Sequence, residues 1–185
     1  IEKAKNVTCN QAQVIFFSNE AAAPSRIPVE VETAFRRFIG NEPAVKRLMQ
    51  QAALVRSGRP LRTPSCLMIT GPVGHGKTTL ARCFAMAAGR PLVEVQSASL
   101  VHGEDLIHAA DECLEAAGLV TERTTDSAGH PMLRYPPLVI FLDDVHGLRR
   151  RASVWQSLIT TPERRVLTPE VEADFSSSII IAASA

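Results

Sequence analysis

The sequence predicts an α/β fold in which a mainly parallel sheet lies between two layers of helices. Apolar runs typical of buried strands occupy residues 66–70, 91–95, 138–142 and 179–183. Segments typical of helices separate them, at residues 79–88, 104–117 and 153–159. Strands that alternate with helices in this way pair in parallel, because each helix carries the chain back to the start of the next strand.

The chain of 185 residues is interpreted as a weakly patterned lead-in followed by one domain. Residues 1–34 are predicted to be an N-terminal extension and linker, with a short strand candidate at residues 14–17. Residues 35–185 form the domain, and Asn41 is a candidate N-cap for its first helix. Residues 118–137 are polar and interrupted by glycine and proline, which indicates an insertion before the third strand.

A phosphate-binding loop joins the first strand of the domain to the helix after it. The segment matches the pattern G-x-x-x-x-G-K-[ST] and reads Gly71-Pro72-Val73-Gly74-His75-Gly76-Lys77-Thr78, followed by Thr79. Its glycines let consecutive backbone N–H groups point at one anion, and the helix adds its free N-terminal amides. Lys77 is expected to contact the β- and γ-phosphates of ATP, and the Thr78 hydroxyl is expected to bind Mg²⁺.

The apolar run at residues 138–142 ends in two carboxylates, Asp143 and Asp144. An acidic residue at the carboxyl end of a buried strand lies at the edge where α/β sheets bind ligands. Asp143 is expected to hold Mg²⁺ through a water molecule, and Asp144 to orient and polarise the water that attacks ATP. These residues predict an ATPase site that uses Mg²⁺.

Composition argues against several other classes of protein. The net charge of +1 gives no overall attraction to nucleic acid. The arginine clusters are expected to be solvated surface rather than phosphate contacts; they are Arg149, Arg150, Arg151, Arg164 and Arg165. The cysteines lie far apart, so neither a disulfide framework nor a zinc site is expected. No stretch approaches the roughly 18 apolar residues of a membrane helix, and no signal peptide is visible, which predicts a cytoplasmic protein without membrane contact.

Together these residues resemble the AAA+ branch of phosphate-loop ATPases, and the nearest likeness is to RuvB-type Holliday-junction branch-migration ATPases. Four blocks carry the resemblance: residues 37–42, the phosphate loop, residues 142–148 and residues 181–185. The resemblance implies a three-layer αβα phosphate-loop NTPase with strand order 5-1-4-3-2. It also implies ATP and ADP as ligands, a homo-oligomeric ring, and DNA as a possible partner.

The resemblance assigns further site residues. Ile39 and Gly40 would lie near the adenine, while Phe38 is either part of that contact or ordinary core. The polar sensor-1 position falls on Ser184 or Ala185, and Ser184 joins Asp144 and Lys77 as a catalytic candidate. Two histidines have less specific roles: His146 is interpreted as a packing or helix-capping residue, and His75 as facing solvent or nucleotide.

Three departures from the family pattern affect the prediction. The second acidic residue is usually Glu, and Asp144 is shorter by one methylene, about 1.5 Å, which predicts slow hydrolysis. The insertion at residues 118–137 is longer than in RuvB-like chains. Strand 5, the arginine finger and the helical lid of the family are absent after the sensor-1 strand, so we expect a fragment of a longer protein. Residues 14–17 are predicted to pair with the sheet edge that strand 5 would cover.

The sequence leaves competing functions open. The first is a ring-forming ATPase that remodels a macromolecular partner, with branched DNA as the candidate that the resemblance suggests. The second is a nucleotide-gated binding or assembly switch with little turnover, because Asp144 replaces Glu and the lid is missing. A small-molecule phosphotransferase is the third hypothesis, and the sequence supports it less than the other two.

Overall fold

The computed structural model describes residues 5–7, 13–16, 27–36, 38–58, 66–146, 158–159 and 163–185. The helices are α1 (Val29–Phe35), α2 (Glu42–Arg56), α3 (Lys77–Ala88) and α4 (Gly103–Ala116). The strands are β1 (Lys5–Val7), β2 (Gln13–Phe16), β3 (Cys66–Thr70), β4 (Leu92–Gln96), β5 (Glu122–Thr125), β6 (Pro131–Arg134), β7 (Val139–Asp143), β8 (Arg165–Leu167), β9 (Glu172–Asp174) and β10 (Ile179–Ser184). A 3₁₀ turn, Ser97–Ser99, joins β4 to α4.

The larger sheet has the strand order β1-β2-β3-β10-β7-β4. Its strands β3, β10, β7 and β4 are parallel, and in chain order they form the predicted arrangement 1-4-3-2. These strands, together with the helices expected at residues 79–88 and 104–117, are confirmed to within two residues at each end. The predicted parallel α/β sheet is therefore confirmed.

The outer edge of β3 is covered by β2, which runs antiparallel to it with Val14 opposite Ile69. This pairing confirms the expectation for residues 14–16, and Phe17 lies outside the described residues. The predicted boundary after residue 34 falls inside α1, which contributes Val31 and Ala34 to the core. Helix α1 therefore packs with the domain that follows it.

Both faces of the parallel sheet are buried, because alternate residues of β7 and β10 enter two different clusters. Val139 and Phe141 face a core shared with α1, α2 and α3. Ile140 and Leu142 face a second core shared with α4 and the smaller sheet. Alternation of this kind places side chains on opposite faces of a strand, and it explains why these runs are apolar without interruption. The resulting arrangement has three layers.

The insertion at residues 118–137 forms part of a smaller sheet with the order β5-β6-β9-β8. Strands β5 and β6 form a hairpin, and β6 pairs in parallel with β9. The hairpin turn is fixed by Asp126, whose carboxylate accepts hydrogen bonds from the backbone N–H groups of Ala128 and His130, both at 2.8 Å. The hydrogen bond from the His130 backbone contributes most to lowering the pKa of Asp126.

Arg164 corrects one expectation, because it is buried rather than solvated, with 2% of its surface exposed. Its Nη1 donates a hydrogen bond to the main-chain oxygen of Ser178, just before β10. Burial lowers the pKa of this guanidinium. Its neighbour Arg165 is exposed as expected and pairs with Glu172 at 2.6 Å.

Several expectations lie outside the described residues. They concern Arg149, Arg150, Arg151 and the helix predicted at residues 153–159, of which the structure describes only Leu158 and Ile159.

The described cysteines Cys66, Cys83 and Cys113 are free thiols. Among the helices of the described segments, none is both long and apolar enough to cross a bilayer.

Candidate active site

A cavity of about 510 Å³ lies where the carboxyl ends of β7 and β10 meet the start of α3. Its lining residues are Val73, Gly74, Gly76, Lys77, Thr78, Thr79, Asp143, Asp144, Ser184 and Ala185. The first six lie in one stretch of the chain, residues 73–79, and we call them the loop wall. The other four come from the ends of two neighbouring strands and are called the strand wall. The cavity thus brings the phosphate loop and the two predicted carboxylates together.

The loop wall depends on a glycine at the start of α3. Gly76 occupies the N-cap position with φ 77°, in the left-handed region that favours glycine. A β-carbon at this position would lie 3.0 Å from Cε2 of Phe38. The first turn of α3 contains no acidic residue, so no side chain of that turn offsets the positive end of the helix dipole and its free amides. This wall is suited to an anion.

Lys77 is held inside the loop by two main-chain oxygens. Its Nζ donates hydrogen bonds to Gly71 at 2.7 Å and to Pro72 at 2.9 Å. The loop is also tied to the sheet, since the N–H of Gly71 donates to the main-chain oxygen of Ser184 at 3.1 Å. An ammonium group has three donors, so one donor is left after these two contacts, and Lys77 is among the residues that line the cavity.

The strand wall begins with two aspartates, Asp143 and Asp144, that differ in backbone conformation. Asp143 ends β7, and its Oδ1 accepts a hydrogen bond from the N–H of Asp144 at 3.0 Å. Asp144 turns the chain out of the sheet with φ 55°, in the left-handed region. Asp adopts this conformation more readily than most residues, because its short polar side chain hydrogen-bonds locally. The shorter acid therefore matches the backbone at this position.

Ser97 is a residue that the sequence analysis missed. It is buried in the 3₁₀ turn after β4, and its hydroxyl lies within hydrogen-bonding distance of the main-chain oxygens of both Asp143 and Asp144. Strands β4 and β7 pair with Gln96 opposite Asp143, which brings Ser97 next to the turn. A polar residue at the end of a buried strand is the signal that could have identified it.

Ser184 is the strand-wall residue that ends β10. It pairs with Thr70 of β3, directly before the phosphate loop, and its side chain is buried. Its Oγ lies 2.7 Å from Nε2 of His146, and the same nitrogen lies 2.9 Å from the main-chain oxygen of Ala185. His146 was expected to pack or to cap a helix. The structure instead places it in contact with the sensor-1 candidate.

The cavity fits a magnesium ion bound together with a phosphate ligand. Thr78 and Asp143, which carry a hydroxyl and a carboxylate, both line it. The described residues contain no group of three or more His, Cys, Asp and Glu side chains that could hold a metal alone. Mg²⁺ commonly uses one or two protein oxygens and completes its shell with water and substrate phosphates. The donor set is appropriate for that mode of binding.

Some predicted residues lie outside the lining of the cavity. Ile39 is 95% exposed, and neither Ile39 nor Gly40 lines it. Phe38 packs against the core and approaches Gly76, so it supports the loop from behind. His75 is exposed, with Nδ1 3.0 Å from the main-chain oxygen of Val73.

Comparison with known protein families gives one result. Residues 67–184 match the model of the ATPase family associated with various cellular activities (AAA). The matched span begins in β3 and ends at Ser184, and it includes every residue of the loop wall together with Asp143 and Asp144. A comparison with curated proteins found no match.

Proposed function

The chain belongs to the AAA family of ATPases, and from that premise we propose that its cavity binds ATP with Mg²⁺ and hydrolyses it slowly. In this proposal the nucleotide state controls the remodelling of a macromolecular partner. One observation carries the proposal: the cavity is lined on one side by Lys77 and Thr78, and on the other by Asp143, Asp144 and Ser184. Its volume of about 510 Å³ lies within the usual range for small-molecule sites.

Each residue has a role that follows from its chemistry. Lys77 and the amides at the start of α3 bind the phosphates. Thr78 and Asp143 would hold Mg²⁺, which neutralises charge on the phosphate oxygens when it is bound. Asp144 orients the attacking water and accepts its proton. Ser184 donates a hydrogen bond to the terminal phosphate.

The slow rate is proposed from the length of Asp144. Its carboxylate is about 1.5 Å closer to the backbone than that of Glu, and a misplacement of about 1 Å can lower a rate by roughly a hundredfold. Asp144 is also exposed at the rim of the cavity. These observations favour a second candidate as well, a nucleotide-gated assembly switch with little turnover. The two candidates share the same binding site and differ in the chemical step.

The oligomer and the client are proposed from family likeness alone. A homo-oligomeric ring would let a neighbouring subunit supply an arginine to the transition state. Branched DNA is the client suggested by the sequence resemblance, and the arginines that would contact phosphate, Arg149 to Arg151, lie outside the described residues. The client is therefore best identified by its effect on turnover.

The binding step is tested by calorimetric titration of the chain with ATP and Mg²⁺. We expect Lys77→Ala to abolish measurable binding, because the cation that faces the phosphates is lost. The matched control is His75→Ala, two residues earlier in the same loop, whose exposed ring faces a main-chain oxygen of the loop itself. Its affinity should change by less than about twofold, a fraction of a kcal/mol. Equal affinity of the Lys77→Ala variant and the wild type would refute the assignment.

The chemical step is tested by steady-state phosphate release at saturating ATP, with and without branched DNA. Measurable turnover that Lys77→Ala removes supports the ATPase. Stimulation by branched DNA, but not by a duplex of the same length, supports the DNA client. Tight binding with no turnover under either condition favours the switch.

A further inference from the structure

The most informative feature that the proposed roles leave unused is the contact between His146 and the end of β10. His146 lies three residues after Asp143 on the chain and reaches across to Ser184 on the neighbouring strand. The register explains how: Ala182 pairs with Leu142, so Ser184 and Asp144 each lie two residues along the chain from this pair. The left-handed conformation of Asp144 then turns the chain, and His146 lies near the end of β10.

The distances around Nε2 of His146 determine which atom carries the proton. The main-chain oxygen of Ala185 lies 2.9 Å away and can only accept a hydrogen bond. Two lone pairs at that distance would repel each other, so we infer that Nε2 carries hydrogen. The same N–H faces Oγ of Ser184 at 2.7 Å. The Ser184 oxygen is therefore the acceptor in this contact.

This arrangement fixes the direction of the Ser184 hydroxyl. Because its oxygen accepts from His146, its own hydrogen is available to a different acceptor. Among the described residues, the main-chain oxygen of Ala185 lies 3.1 Å away and can serve as that acceptor. A phosphate oxygen in the cavity would be a stronger acceptor, since it is charged. The hydroxyl can rotate from one acceptor to the other while the contact with His146 persists.

We propose that His146 is a positioning residue that makes Ser184 a hydrogen-bond donor to the terminal phosphate of the bound nucleotide. The inference rests on the proposed function, because it needs a nucleoside triphosphate in the cavity. Its consequence is selectivity between ATP and ADP. The γ-phosphate is the group that Ser184 recognises, so the contact contributes to the affinity for the triphosphate and leaves the affinity for the diphosphate unchanged.

The test compares the affinities of ADP and of the non-hydrolysable imido analogue of ATP, measured by calorimetry with Mg²⁺. We expect Ser184→Ala to weaken analogue binding roughly tenfold, as for the loss of one hydrogen bond to a charged group. His146→Leu should give a similar loss, and the double variant should lose no more than either single variant. ADP affinity should stay within about twofold in all three. His146→Gln is the conservative control, because its amide N–H can replace Nε2–H, and it should retain most of the affinity for the analogue.

Several results would overturn the inference. These are unchanged analogue affinity in His146→Leu, an equal loss for ADP, independent effects of the two substitutions, or a His146→Gln variant as weak as His146→Leu. If wild-type protein bound neither nucleotide, the proposed function would fail and this inference with it. A second measurement requires no variant: long-range ¹H–¹⁵N correlation of the histidine rings should show His146 as the Nε2–H tautomer. The Nδ1–H tautomer would contradict the proposed direction of the hydrogen bond.

Discussion

The two walls of the cavity are built in different ways. The loop wall comes from a single stretch, residues 73–79, that ends in the first turn of α3, and it offers backbone amides and a lysine held by loop oxygens. The strand wall combines the ends of β7 and β10, and its geometry depends on Ser97 and His146, which lie outside the cavity lining. The difference indicates that local sequence specifies the first wall, whereas strand pairing specifies the second.

The largest expected effect tests whether the loop wall serves nucleotide binding and the strand wall serves catalysis. Asp144→Asn should lower kcat by roughly a hundredfold or more, because an amide cannot accept the proton of the attacking water. Asn adopts the left-handed conformation as readily as Asp, so nucleotide affinity and stability should be retained. Phosphate release and calorimetry measure the two quantities. If Asp144→Asn instead weakened binding as strongly as Lys77→Ala, the walls would not divide binding from catalysis.

The same contrast explains how much of the site the sequence could predict. The loop wall and the pair Asp143–Asp144 follow from motifs of a few adjacent residues. Ser97 and His146 act on residues 46 or 38 positions away along the chain, so their roles appear only once β4 and β10 are paired with β7. The sequence placed sensor 1 at Ser184 or Ala185. The structure places both in the strand wall, and Ser184 is the one with a hydroxyl.

The fold divides in a similar way. The parallel sheet and its helices were predictable because runs buried on both faces are uniformly apolar. The smaller sheet was not, because β5 consists of four polar residues and β6 pairs with β9, about 40 residues away. The burial of Arg164 was not predictable either, because an arginine is rarely fully buried and the main-chain oxygen that it contacts, that of Ser178, lies 14 residues away. Contacts between residues far apart along the chain thus account for each feature that the sequence analysis did not predict.

The next prediction disturbs the loop wall without removing a side chain that lines the cavity. Gly76→Val introduces a β-branched residue at φ 77°, where its Cβ would also meet Phe38. We expect a loss of roughly 1–3 kcal/mol from backbone strain and a fall in nucleotide affinity of about tenfold or more, since the amides of the loop are displaced. Calorimetry and chemical denaturation report the two effects.

A matched control for Gly76→Val is available in the hairpin between β5 and β6. Gly129 has φ 86° and open space around the position of a β-carbon. Gly129→Val should therefore carry similar strain, but it lies outside the cavity lining and should leave nucleotide affinity unchanged. Wild-type affinity in the Gly76→Val variant would show that the loop wall does not depend on this glycine.

Ser97→Ala should disturb the strand wall at a distance. Removing the buried hydroxyl leaves the main-chain oxygens of Asp143 and Asp144 without that donor, at an expected cost of about 1–2 kcal/mol in stability. The position of Asp144 should loosen, which lowers kcat more than nucleotide affinity. Ser99→Ala, in the same 3₁₀ turn, is the control, because its exposed hydroxyl contacts only Gln96 among its described hydrogen bonds. If the two variants behaved alike, Ser97 would have no special role in shaping the wall.

The smallest and most discriminating change is Asp144→Glu, because two effects oppose each other there. The longer side chain brings the carboxylate about 1.5 Å further into the cavity, which favours the attacking water. Glu adopts the left-handed conformation less readily than Asp, which should cost roughly 0.5–1 kcal/mol in stability. The backbone strain lowers the stability of the fold, whereas the longer side chain affects the chemical step. We therefore expect kcat to rise several-fold, by up to about tenfold, while the midpoint of thermal unfolding falls.

The control variant lengthens the neighbouring acid. Asp143→Glu should lower turnover instead, because that carboxylate is already in place at the end of β7. A slower Asp144→Glu enzyme would mean that the conformation at residue 144 matters more to catalysis than the length of its side chain, and the strand wall would then be adapted to aspartate.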